Sequence, residues 1–112
     1  MENFEMSKNS TGAAHQKIDA LIALGAGEIV ANTLNKLISY RLEKYRGCIA
    51  QIEAELKKFE KNYKMASDVF YREFEAGNLG DAGDYFEWSS LYENILLYRE
   101  RIEKMEALIT NH

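Results

Sequence analysis

Between Ile38 and Tyr63 the apolar residues Ile38, Leu42, Tyr45, Ile49, Ile52, Leu56, Phe59 and Tyr63 recur at intervals that alternate four and three without a miss. That spacing is the seam of a packed helix, and neither a strand nor a disordered segment sustains it. A second seam follows later in the chain: Trp88, Leu91, Ile95, Tyr98, Ile102, Met105 and Ile109. Proline, which would interrupt either one, is absent from all 112 residues. Two such seams joined by a compact connection predict an all-α fold: an antiparallel helical hairpin, coiled-coil-like, with a short helix at its tip and an N-terminal helical segment.

The turn chemistry places the divisions. Residues 1–12 have no apolar period and end in Asn9-Ser10-Thr11-Gly12, so they read as a mobile arm before a single helical domain over 13–112. Within that domain 13–27 reads as a helix and a hinge at Gly25-Ala26-Gly27. Residues 28–64 read as the long helix, 65–84 as the tip, and 85–112 as the return helix. At the tip Ser67 is placed to cap a short helix, with Asp68 in its first turn where the dipole favours an anion. Gly77 stands where a left-handed residue ends a helix. Asp84 with Glu87 three residues on reads as an acidic capping box for the return helix.

Laying the seams antiparallel pairs Tyr45 with Ile109, Ile49 with Met105, Ile52 with Ile102, Leu56 with Tyr98, Phe59 with Ile95 and Tyr63 with Leu91. Arg46 then faces Glu106 and Glu53 faces Arg99 on one flank, while Glu55 faces Arg101 and Asn62 faces Asn94 on the other. Leu34, Leu37, Ile38 and Leu42 find no counterpart on the return seam. Exposed apolar surface of that extent calls for a cover, so these four are candidate interface residues. Residues 13–24 folding back would supply one cover and a homodimer another. The dimer is favoured, because the foldback helix is short and its apolar face narrow.

Seven aromatics gather near the tip. Tyr63, Phe70, Phe74, Phe86 and Trp88 read as a small core plugging the hairpin end, and Tyr71 and Tyr85 as outward anchors for a partner. Net charge is −4 and unevenly divided: residues 1–66 hold 10 Lys/Arg against 8 Asp/Glu, and residues 67–112 hold 4 against 10. A negative tip repels phosphate, which disfavours nucleic acid there and suits a basic protein partner. Lys17, Lys36, Arg41, Lys44 and Arg46 keep a DNA-binding autoregulator open as an alternative, diluted by Asp19, Glu28 and Glu43.

Catalytic and metal chemistry find little support. Asp81, Asp84 and Glu87 lack the alternating acids and twelve-residue frame of a calcium loop. His15 and His112 have no second ligand at metal spacing, and Ser89 and Ser90 lack a nucleophile elbow. No cofactor is expected, and no enzyme activity. A single cysteine, Cys48, allows no internal disulfide and makes the reducing cytoplasm the expected location. No apolar run has the length of a membrane span.

The spacing of Phe59, Tyr63, Met65, Ser67, Phe70, Phe74, Gly77, Leu79, Gly80, Asp81, Asp84, Phe86, Glu87 and Trp88 resembles small helical prokaryotic proteins regarded as antitoxin-like members of toxin–antitoxin pairs. The likeness covers about residues 34–112. It implies a non-enzymatic interaction module that neutralises a protein partner, a small toxin, by covering it. A structural or chaperone-like homo-oligomeric coiled coil is the alternative.

Overall fold

In the computed structural model, which describes residues 2–110 and the side chains of residues 10–109, the chain is all-helical. Met1, Asn111 and His112 lie outside the described residues, and with them the end of the expected 85–112 helix and the second histidine. Four helices follow in order: α1 (Glu2–Ala23), α2 (Gly27–Tyr63), α3 (Ser67–Glu75) and α4 (Gly83–Thr110). The chain divides into two compact units, Met1–Ser39 and Tyr40–His112.

In the first unit, α1 runs through residues 2–12, where the sequence is read as a mobile arm. Asn, Ser and Thr each weaken a helix by well under about 1 kcal/mol and Gly12 by about 1 kcal/mol, too little to break one flanked by Ala13 and Ala14. The hinge is a helix stop. Ala26 N–H donates to the Leu21 carbonyl at 2.9 Å and Gly25 N–H to the Ile22 carbonyl at 3.1 Å. Gly25 sits between them at φ +93°, the left-handed closure that glycine adopts without strain. Beyond the turn, Ile18 and Leu21 of α1 line one apolar groove with Ile29, Val30 and Leu34 of α2, and Val30 is buried.

In the second unit the core is Leu56, Phe59, Phe70, Trp88 and Ile95. Tyr85, Tyr92 and Ile95 stand at −3, +4 and +7 from Trp88, so all pack on the face that the indole defines. α2 and α4 meet at Arg46–Glu106 (3.4 Å), at Arg99–Glu53 (3.9 Å), and where the ring of Tyr63 lies 5.4 Å from that of Tyr85. Both ion pairs join residues expected to face each other. All four charged side chains stay about half exposed, so each pair contributes only about 0–1 kcal/mol. The ring contacts depart from the expected layers. Phe59 stacks on Trp88 at 5.6 Å and Tyr45 lies 5.4 Å from Tyr98. Glu55 pairs with Lys58 on its own helix at 3.2 Å rather than with Arg101.

The C-terminal end of α3 is closed by backbone bonds. Asn78 N–H donates to the Glu73 carbonyl and Gly77 N–H to the Phe74 carbonyl, with Gly77 at φ +78°. α2 stops the same way without a glycine: Met65 N–H reaches the Glu60 carbonyl across Lys64, which adopts φ +53°. A side chain in that region costs about 1–2 kcal/mol. Lys64→Gly should therefore stabilise the protein by about 0.5–1 kcal/mol in urea denaturation, part of the relief being lost to the freer unfolded chain. Gly77→Ala should destabilise it by about 1 kcal/mol. A Cβ at Gly77 would meet nothing within 4 Å, so that cost is backbone strain alone.

Candidate functional site

Trp88 and Phe70 are both fully buried, their rings parallel to within 2° at 3.8 Å. The indole N–H donates to the Ser67 hydroxyl at 2.9 Å, a buried bond that satisfies both groups. Ser67 is thus not the cap of α3. The cap position belongs to Ala66, which makes no side-chain cap bond, and the Ser67 N–H instead donates to the Glu60 carboxylate at 2.9 Å. Glu60 closes the corner twice, its carbonyl ending α2 and its carboxylate starting α3.

The expected capping box is displaced as well. α4 begins at Gly83, so Asp84 lies inside its first turn, where it accepts the Tyr63 hydroxyl at 2.8 Å, and Glu87 is exposed. That hydrogen bond, with some loss of solvent, holds the Tyr63 phenol above the ordinary tyrosine range. Tyr71 is raised in the same way, chiefly by its bond to Glu93 at 2.9 Å.

Of the expected tip core, Tyr63, Phe70, Phe74 and Trp88 pack together, but Phe86 is 59% exposed. It stands two residues before Trp88, about 200° around the helix, and touches the cluster only edge-on to Phe74 at 5.6 Å. The outward anchors are corrected in the opposite sense. Tyr85 is half-buried, its ring within 5.4 Å of both Tyr63 and Phe70, and Tyr71 is half-buried with its ring 5.0 Å from Tyr92. Both therefore pack within their own unit rather than standing clear of it.

Beside the tip a groove of about 400 Å³ has Leu56 and Ile95 in its lining, with Lys57 and Arg99 set against Glu53, Glu60 and Asp68. Its charges oppose one another, and Glu60 is already committed to Ser67. Among the described residues no cluster of three or more His, Cys, Asp or Glu is placed to hold a metal ion, and no helix is long and apolar enough to cross a membrane. Several cations proposed for DNA contact have intramolecular neighbours. Arg46 pairs with Glu43 and Glu106, and Arg41 and Lys44 lie over the rings of Tyr45 and Tyr40.

The remaining feature is the apolar surface of the first unit. Leu21, Ile22, Leu24, Ile29, Leu34 and Leu37 keep between 38% and 82% of their surface exposed. Of the four residues read as an interface, Leu34 and Leu37 are exposed and Ile38 is half-buried, whereas Leu42 is buried at 4%. Leu42 is therefore not part of an exposed face, and Arg46, one turn further along α2, is paired with Glu106 of α4. Val30 is covered within its own unit. No protein-family model, curated protein or solved structure matches the chain.

Proposed function

We propose that this chain is a non-enzymatic protein–protein interaction module, in which an antiparallel hairpin of α2 and α4 supports an apolar association face built by α1 and the start of α2. The hairpin reading is supported by contacts running in opposite order, from Arg46–Glu106 through Glu53–Arg99 to Tyr63–Tyr85. One observation carries the function: six large aliphatic side chains crowd residues 21–37 and stay exposed, while the tip is closed around Trp88. Scattered exposed leucines are ordinary, whereas a cluster of this kind marks a contact surface. The tip resemblance sharpens the reading to an antitoxin-like protein that neutralises a small toxin by covering it.

Co-expression with the product of an adjoining reading frame tests the antitoxin reading. A complex of fixed stoichiometry, with growth restored if that product is toxic, is the expected result. Neighbours that neither bind nor harm the cell would leave the homo-oligomeric structural protein as the better account.

A further inference from the structure

We infer that the occupant of the first unit's apolar face is a second copy of this chain, joined to the first about a two-fold axis. The inference rests on reading that face as an association surface, and three observations select the occupant. The first is charge. Residues 1–39 carry Lys8, Lys17 and Lys36 against Glu2, Glu5, Asp19 and Glu28, a balance of −1, so the face meets its own copy with little net repulsion. Residues 67–112, with 4 cations against 10 anions, could not do so. A nearly neutral aliphatic face also offers nothing to phosphate or to an anionic lipid surface.

The second is area. The six exposed side chains present on the order of 600 Å² of apolar surface, close to the roughly 800 Å² per partner of a stable interface once polar rim atoms are added. The third is shape. The groove between α1 and α2 measures about 180 Å³ and is lined almost wholly by aliphatic groups. A void of about 150 Å³ accepts a benzene-sized apolar group, so this groove has room for one leucine side chain. Leu24, 82% exposed at the turn, and Leu37, 56% exposed one turn beyond Leu34, are projecting side chains on the same unit as the groove. A surface bearing both knob and hole satisfies the self-complementarity that a two-fold interface requires.

Sedimentation of the full chain over a range of concentrations tests this. The expected mass is twice 12.9 kDa, falling to that of the monomer on dilution. Leu24→Glu should raise the dissociation constant by about a hundredfold or more, because each substitution enters a two-fold interface twice, and should leave helix content unchanged. Leu97→Glu, on α4, should leave the dimer intact. A wild-type monomer at high concentration overturns the second copy. If that monomer still captures the adjoining gene product, the interaction module stands without the dimer. If it captures nothing and Leu24→Glu unfolds it, the face is the chain's own core and both readings fail. A dimer indifferent to Leu24→Glu but broken by Leu97→Glu also overturns the inference. The wild-type concentration series needs no variant, so a misfolded mutant cannot mask the answer.

Discussion

Trp88→Ala should lower stability by about 3–5 kcal/mol, measured by urea denaturation followed by far-UV circular dichroism. The indole is fully buried, stacks on Phe70 at 3.8 Å, and lies 5.6 Å from both Phe59 and Tyr63, so its removal opens a cavity that three helices line. It also strands the buried Ser67 hydroxyl, adding a desolvation penalty to the lost packing. Phe86→Ala, two residues earlier on the exposed side, should fall within about 0.5 kcal/mol of wild type. Equal losses at the two positions would mean that the tip is not organised around Trp88.

Leu42→Ala should cost about 2–5 kcal/mol, the range for deleting a buried leucine. Leu108→Ala, 60% exposed on α4, should be near neutral. The comparison bears on where the second unit's core ends. If Leu42→Ala leaves denaturation unchanged but weakens self-association, Leu42 belongs to the interface and the second unit's core begins further along α2.

What could be read from residues alone was whatever a period or a glycine encodes. The alternating seam locates α2 and α4, and Gly77 and Gly25 mark helix ends because left-handed backbone favours glycine. The end of α2 is read at residue 64, one beyond Tyr63, from where the seam stops, but how it closes is not. Its left-handed residue is Lys64, and no composition signals a lysine held there by the bond from Met65 to Glu60. Phe86 was misplaced for want of an angle: proximity in sequence to Trp88 counts for less than the 100° each residue turns. Ser67 had the chemistry of a cap but was taken by the indole, a long-range partner that no local rule contains. Leu34 and Leu37 were legible as unpartnered, while the burial of Val30 depends on how α1 meets α2.

The stacked indole has a practical consequence, because it is the only tryptophan in the chain and belongs to the second unit. Its emission therefore reports the melting of the tip and is silent about residues 1–39, whereas backbone circular dichroism sums over both. Coincident transitions from the two probes would make the chain a single cooperative system. A separation between them would isolate the first unit's own unfolding free energy, which no calorimetric total could apportion.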